Sequence, residues 1–335
     1  MKKILKKIYE KKNLTEIESY ILFKNIIKGK LTSIQLSAVL ISMKIRGETD
    51  LEILGAVQAC LKYSKPFPAP SHIFADIVGT GGDKLNKINI STISAFVAAY
   101  CGFKIIKHCN YSISSQSGSA DFLKSYGINP KVSVEHSLKS LKKNNICFLL
   151  ASEYHSGFRF STSVRKELKT STIFNIIGPL LNPARPALAV IGVYTKKLLV
   201  PISKILKKLK YQHVILVNSN QCDEVTLCNE TKIVELYKNK IKSYTLCPED
   251  FGMNSYSKQA LIGGTVKENY EIMKSILKGE GDSVYTETIS ANVGLLLKLF
   301  GHKNLKENSN LAFKSIKSGK VYNFIKNFSK KENYD

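Results

Sequence analysis

The chain has 335 residues, 44% hydrophobic and 23% charged, with 50 lysines and arginines against 26 acids and a formal net charge of +24. That length and balance suit one large or two modest globular domains and exclude a chain too polar to bury a core. No uncharged apolar run approaches the roughly 18 residues of a membrane span, and the lysines are spread along the chain instead of forming the basic block of a nucleic-acid binder.

Lys, Ile and Asn are all abundant, so the charge fits A/T-rich coding bias, although an anionic substrate would still benefit from the positive field. Met1–Lys7 is basic but is followed by no apolar h-region, so export is not expected and the cytoplasm is. The seven cysteines are scattered and form no CxxC pair, which indicates thiols in a reducing compartment and neither a zinc site nor a disulfide framework.

In chain order, the first part reads as helix. Thr15-x-x-Glu18, Thr32-x-x-Gln35 and Thr49-x-x-Glu52 each form a capping box, in which side chains at both positions satisfy N–H groups of the helix start. Gly29 and Gly47 are placed as C′ residues closing two of these helices. Three prolines between Ser64 and Pro70 force an extended connection and mark a boundary.

Beyond it, short apolar runs alternate with amphipathic stretches. Strands are predicted at Ile73–Val78, Phe103–Lys107, Ile146–Leu150, Leu188–Tyr194 and His213–Val217. Helices are predicted at Thr92–Tyr100, Ser133–Lys143 and Leu198–Leu209, and the tail from Glu268 to Tyr334 reads as largely helical. Such alternation predicts a mainly parallel sheet covered on both faces. Ligands gather at the carboxyl ends of the strands in such sheets, where Gly79, His108, Ala151 and Asn218 begin loops.

Four of these segments carry chemistry. After the first strand, Gly79-Thr80-Gly81-Gly82-Asp83 leads to Asn89-Ile90-Ser91-Thr92 at a helix start. Glycines allow backbone N–H groups to converge on an anion, and a helix start adds donors and a positive dipole end. A phosphate or diphosphate is the expected guest. This is neither a dinucleotide fingerprint nor a P-loop, since Lys84 stands where the third glycine would be and no Gly-Lys-Ser/Thr follows. The second loop, Lys107 to Asp121, offers many neutral donors, a lysine and Gly118, with Ser119 expected to cap the next helix. In the third, the adjacent carboxylates Asp223 and Glu224 suit Mg²⁺ alongside substrate phosphates. In the fourth, Arg165 follows Tyr154-His155-Ser156, and its guanidinium suits a carboxylate. Each motif alone also fits a solvated turn or a surface ion pair. No Gly-x-Ser-x-Gly elbow is present.

Taken together, Gly79 to Asp83, Asn89 to Thr92, Lys107-His108 with Asn110, Ser119-Ala120-Asp121, Arg165 with Glu167-Leu168, Ile173-Phe174-Asn175 with Gly178 to Pro183, and Asp223-Glu224 resemble the anthranilate phosphoribosyltransferase family in order and spacing. The resemblance implies an α/β fold like that of nucleoside phosphorylases and phosphoribosyltransferases: a small helical domain and a larger mainly parallel α/β domain. The helical domain would be residues 1–70, with about 160–186 packing on it; the α/β domain would be 71–159 and 187–335. It implies Mg²⁺-assisted transfer of a phosphoribosyl group from phosphoribosyl diphosphate to anthranilate, in tryptophan biosynthesis, by a cytoplasmic homodimer joined through the helical domain. Neither membrane nor nucleic acid is an expected partner.

By the same likeness Gly79, Gly82, Asp83, Asn89, Ile90, Ser91, Thr92, Lys107, His108, Asn110, Ser112, Ser114, Ser115 and Ser119 would hold phosphoribosyl diphosphate. Gly79, Asn110, His155 and Arg165 would meet anthranilate, and Ser91, Asp223 and Glu224 would ligate Mg²⁺. No protein acid or base is expected, since an aromatic amine is already neutral at pH 7. The chain departs from the family pattern at Lys87, Cys109, Tyr111 and Gln116. Two other readings are a pyrimidine nucleoside phosphorylase, which would not need the acidic pair, and a nucleic-acid-binding relative with weakened catalysis.

Overall fold

The computed structural model describes residues 1–68, 70–81, 88–111, 118–261 and 263–332, apart from the side chains of 258, 266, 331 and 332. Four helices open the chain: α1 (Lys2–Tyr9), α2 (Glu16–Ile27), α3 (Ser33–Arg46) and α4 (Asp50–Lys62). All three capping boxes form, with Thr15, Thr32 and Thr49 each accepting from the backbone N–H three residues on. Gly29 follows the cap residue Lys28 of α2, the expected C′ position, whereas Gly47 is itself the cap residue of α3.

Glu52 is the hub of this unit. Its carboxylate takes both oxygens to Arg46 Nη2 at 2.6 Å and accepts from the backbone N–H of Leu14 at 2.8 Å and of Thr49 at 2.9 Å. Arg46 and Glu52 side chains are 10% and 0% exposed. Removing one partner of such a pair strands the other charge, so Glu52→Ala should lower unfolding free energy by about 3–5 kcal/mol. Denaturant titration checks this, and Arg46 should then become accessible to arginine-directed reagents. Gly55 of α4 lets α2 approach closely, since a Cβ there would lie 2.2 Å from the Glu16 carbonyl oxygen.

The rest alternates strand and helix: β1 (Ala75–Gly79), α5 (Ile90–Tyr100), β2 (Ile105–Cys109), α6 (Ser119–Ser125), α7 (Val134–Asn144), β3 (Ile146–Leu150), α8 (Ala151–Tyr154), α9 (Arg159–Leu168), α10 (Ile173–Ile177), β4 (Leu188–Gly192), α11 (Leu199–Lys208), β5 (His213–Asn218), β6 (Thr231–Tyr237) and β7 (Lys240–Leu246). Helices α12 (Val266–Leu277), α13 (Ser283–Leu299), α14 (Leu305–Lys317) and α15 (Lys320–Glu332) follow. The expected strands form, but β1 and β2 start two residues later than predicted and run on to Gly79 and Cys109, while β4 stops at Gly192. Ile73, placed in a strand by its side chain, is 64% exposed ahead of β1. The β6–β7 hairpin has no counterpart among the predicted strands.

The sheet order is β3-β2-β1-β4-β5-β6-β7. Strands β1 to β5 pair in parallel, and β6 and β7 add antiparallel at one edge. Both faces are covered: Val190, Ile215 and Val217 enter a core with α5 and α13, while Ile191, Val214 and Leu216 enter another with α2, α3 and α4. Helices α9 and α10 pack on α2, α3 and α4, with Phe23 and Phe174 rings 5.8 Å apart. Among the described residues no helix is long and apolar enough to cross a membrane. The strand order reverses between β1 and β4, and the carboxyl ends there are where such a sheet opens a crevice.

Candidate active site

The loop after β5 folds over that crevice. Asp223 is 8% exposed, and its Oδ2 accepts from the Gly81 N–H at 2.7 Å. Its backbone lies so close to β4 that a Cβ on Gly192 would fall 1.5 Å from the Asp223 carbonyl oxygen, and one on Gly79 would fall 2.3 Å from Asp223 Oδ2. The loop is pinned from both ends. The Asn218 side chain donates to Val193 O at 2.7 Å, and Asn292 of α13 accepts from Val225 N at 3.1 Å and donates to Val225 O at 3.0 Å. Thr80 ties β1 to the end of β4, its N–H donating to Gly192 O and its hydroxyl accepting from Tyr194 N, both at 3.0 Å.

Lys107, on β2, is 2% exposed and points under the first loop. Its ammonium donates to Ile77 O and, at 3.3 Å, to Ser91 Oγ. Burial pulls its pKa down, opposed by the carboxylates of Asp76, Glu224 and Asp223. The lysine is thus within electrostatic reach of the acidic pair, which joins the loops after β1 and β5 with β2. Behind it, Asn182 donates to Asp76 Oδ2 at 2.8 Å and to Ile106 O at 2.9 Å. At the start of α5 the N–H of Ile90 goes to Ile88 O and that of Thr92 to Asn89 O. Ile90 is 1% and Thr92 0% exposed. The first turn therefore offers fewer open donors than the sequence implies, and the Thr92 side chain faces the core. Ser91, half-buried beside Lys107, is the polar side chain of that turn that stays outside the core.

The loop after β2 closes on itself through Ser119, whose hydroxyl accepts from Asn110 N at 3.1 Å and donates to Asn110 O at 3.3 Å. Gly118, not Ser119, caps α6, with its N–H donating to Asp121 Oδ2 at 2.8 Å. Asn110 Oδ1 accepts from Tyr111 N at 3.0 Å, and Lys124 lies over the Tyr111 ring. Cys109 is buried at the end of β2 with its thiol pushed up to about 12 by burial, so it stays protonated at pH 7. Gly82, Asp83, Lys87, Ser112, Ser114, Ser115 and Gln116 lie outside the described residues.

A line of rings connects this edge to the helical unit. His108 and His155 centroids are 5.5 Å apart, His155 stacks on Phe158 at 5.0 Å, Phe158 meets Phe174 at 5.6 Å, and the Arg165 guanidinium sits 5.0 Å over the Phe174 ring. Burial lowers the Arg165 pKa to about 10, which still leaves it charged at neutral pH. Burial drives His108 down to about 3 and His155 to about 4, so both are neutral at pH 7. His155 Nε2 lies 2.8 Å from Leu181 O and must carry the proton there, while His108 Nε2 is buried with no hydrogen-bond partner among the described residues.

These shifts set a stability profile. Between about pH 6 and pH 5 the unfolded chain takes a proton on each histidine that the folded protein refuses, so stability falls as pH falls through that window. Asp76 opposes this, because burial raises its carboxyl to about 6 and the folded state then holds a proton that the unfolded chain releases. The net uptake on unfolding is about one proton, or ~1.4 kcal/mol lost per unit of acidification. His155→Gln, which keeps a donor for Leu181 O, should flatten the profile nearly completely, as read by urea unfolding at the two pH values.

Gly79, Ser91, Lys107, Asp223 and Glu224 are thus brought together around the crevice, with Asn110 and Ser119 on the neighbouring loop, His155 next to His108 on the ring line and Arg165 at its far end. Sequence reasoning missed Gly192 and Asn292, which hold the acidic loop. Cys222, Asp223 and Glu224 each offer a donor atom within 4.8 Å of one another. The two carboxylates fit a hard, oxygen-seeking Mg²⁺; the thiol does not.

Comparison with known proteins bears out the fold. Residues 71–322 match the family described as "Glycosyl transferase family, a/b domain" and residues 2–64 the "Glycosyl transferase family, helical bundle domain". A relative from Buchnera aphidicola subsp. Schlechtendalia chinensis, called anthranilate phosphoribosyltransferase, is 56% identical over 98% of this chain and 100% of its own. The anthranilate phosphoribosyltransferase of Thermus thermophilus superposes with a TM-score of 0.89 at 30% identity, over 98% of this chain and 99% of that one. The Saccharomyces cerevisiae enzyme, solved in complex with PRPP and Mg, superposes with a TM-score of 0.87 at 27% identity, covering 96% of this chain and 94% of its own. That yeast enzyme has also been solved with 4-fluoroanthranilate.

Proposed function

Because the chain belongs to the anthranilate phosphoribosyltransferase family, we propose that it transfers the phosphoribosyl group of phosphoribosyl diphosphate to the amine of anthranilate, releasing diphosphate, as a step of tryptophan biosynthesis. One observation carries this reading: the Gly81 N–H to Asp223 contact, which docks an acidic loop on a glycine turn at the switch point of the sheet. A diphosphate and its counterion fit such a junction. The nucleoside phosphorylase and nucleic-acid readings gain no support from the relatives.

In this reading Gly79, Gly82, Asp83, Asn89, Ile90, Ser91, Thr92, Lys107, His108, Asn110, Ser112, Ser114, Ser115 and Ser119 form the phosphoribosyl diphosphate side. Ile90 and Thr92 shape the helix start there, since their side chains are buried and their N–H groups are bonded to Ile88 O and Asn89 O. Asp223 and Glu224 hold Mg²⁺ with Ser91; bound there, the ion neutralises charge developing on departing diphosphate. Lys107, buried behind Ser91, adds a fixed positive charge at the same place. The protein needs no base, because the attacking amine is uncharged. Its task is to orient that amine and exclude water.

Arg165, at the end of the ring line, holds the anthranilate carboxylate, with Gly79, Asn110 and His155 around the ring. Arg165→Lys keeps the charge but loses the planar fork. It should raise KM for anthranilate about tenfold or more, with kcat and the KM for phosphoribosyl diphosphate little changed, since one bidentate charge-assisted contact is worth about 1.5–3 kcal/mol.

The domain division, homodimer and cytoplasmic location belong to the same proposal. Ile17, Ile34 and Ile45, on α2 and α3, are 71%, 82% and 73% exposed, which supports a partner on the helical unit. No disulfide joins the described cysteines, in keeping with a reducing compartment. The activity is tested by following the loss of anthranilate fluorescence on mixing with phosphoribosyl diphosphate, with and without Mg²⁺. Loss that requires both is expected; stable fluorescence in the complete mixture contradicts the proposal.

A further inference from the structure

At the opposite end of the sheet from the acidic loop lies a cleft of about 1160 Å³, larger than many small-molecule sites. Its floor is the amino ends of β4 and β5, with Leu188 and the buried ring of Tyr211. Three separate elements bring lysines to its rim: Lys207 and Lys210 from the end of α11, Lys238, Lys240 and Lys242 from the β6–β7 hairpin, and Lys303 after α13. All six are exposed.

Glu235 is the one acid among the lining residues, and its charge is already committed. It accepts from Tyr244 Oη at 2.7 Å and Lys298 Nζ at 2.8 Å, and lies 2.7 Å from His213 Nε2. Burial would raise its carboxyl, but these bonds outweigh burial and hold it down at about 2. The six rim lysines therefore face the cleft with no acid left to offset them. At the hairpin tip Lys238 and Asn239 both have positive φ, 48° and 63°, the geometry of a tight hairpin turn usually given to Asn and Gly. The ammonium of Lys238 lies 5.4 Å over the ring of Tyr237, another lining residue of the cleft.

From this juxtaposition we propose that the cleft is a second ligand site, which takes a nucleoside polyphosphate with its phosphates on the lysine rim. Lysine ammonium groups are point charges suited to phosphate oxygens. Tyr237, 48% exposed with the Lys238 ammonium over its ring, and the half-buried Phe300 both line the cleft, and a base that took the place of that ammonium would find aromatic surface there. The length of β5 separates this site from the acidic loop by roughly 17 Å, at ~3.3 Å per residue. A ligand there and the transfer reaction's substrates therefore do not overlap, and both can be bound at once.

The test is calorimetric titration of the full chain with ATP and, separately, with tripolyphosphate at low salt. One saturable ATP site per chain is expected, at least tenfold tighter than tripolyphosphate, and undisturbed by excess phosphoribosyl diphosphate. The triple substitution Lys238→Glu, Lys240→Glu and Lys303→Glu should weaken ATP at least tenfold while leaving the melting temperature and the ATP-free transfer rate unchanged. Displacement of ATP by phosphoribosyl diphosphate, equal affinity for tripolyphosphate, or unchanged affinity in the charge-reversed protein would each overturn the proposal.

Discussion

Asp223→Asn combined with Glu224→Gln is expected to lower kcat by on the order of a thousandfold while the melting temperature stays within ~2 °C of the parent. Both replacements keep size and shape, and the new amide beside Gly81 retains an oxygen to accept the N–H now bonded at 2.7 Å. Only the two negative charges are lost. Preorganised charge aimed at a developing anion is commonly worth about 3–4 kcal/mol, or two to three orders of magnitude in rate. The assay is steady-state turnover across a Mg²⁺ titration, paired with a thermal melt. A rate within tenfold of the parent would remove the acidic pair from the reaction.

Gly192→Ala is expected to cost about a hundredfold in turnover without altering any group that touches substrate. A Cβ there would lie 1.5 Å from the Asp223 carbonyl oxygen and 2.4 Å from its carbonyl carbon. Both contacts are backbone, so no side-chain rotation relieves them and the acidic loop must shift. A displacement of about 1 Å in a positioned catalytic group can cost a hundredfold in rate. Overpacking at the strand end should add about 1–3 kcal/mol of destabilisation. A weaker apparent Mg²⁺ affinity should accompany the loss, which separates displaced ligands from general unfolding. Normal Mg²⁺ dependence with normal turnover would mean that the loop position does not matter.

The contrast between these two variants marks where sequence reading reaches and where it stops. Asp223 and Glu224 stand out in the sequence only in company: alone the pair fits a solvated turn, and its place after an apolar run, in family order with the glycine turn, is what marks it. The capping boxes at Thr15, Thr32 and Thr49 are equally plain, since reciprocal bonds act over three residues and need no tertiary context. Gly192 carries no such signal: its importance comes from a distant loop that folds back across the strand end. Asn292, in a helix that reads only as part of a helical tail, reaches Val225 across the fold.

The hairpin of β6 and β7 has only a weak local signal, because the apolar–polar alternation of Thr231–Tyr237 breaks at Ile233-Val234. Its turn is Lys238-Asn239 in place of Asn-Gly, so the usual punctuation is missing. At the start of α5, Thr92 looks like a ligand by residue type, but helical periodicity turns it inward beside Ile93 while Ser91 stays at the surface of the crevice. The identity of a side chain suggests a role there, and its angular position on the helix decides it.

Everything above requires that the connections after β1, β2 and β5, distant along the chain, converge on one diphosphate and its metal. Anomalous diffraction from crystals soaked with phosphoribosyl diphosphate and Mn²⁺ tests that convergence most directly. A manganese peak is expected within coordinating distance of Asp223 and Glu224, with diphosphate density running from that ion toward Ser91 and Gly81. A peak elsewhere, or donor density that leaves the acidic pair and Ser91 untouched, would rule the convergence out.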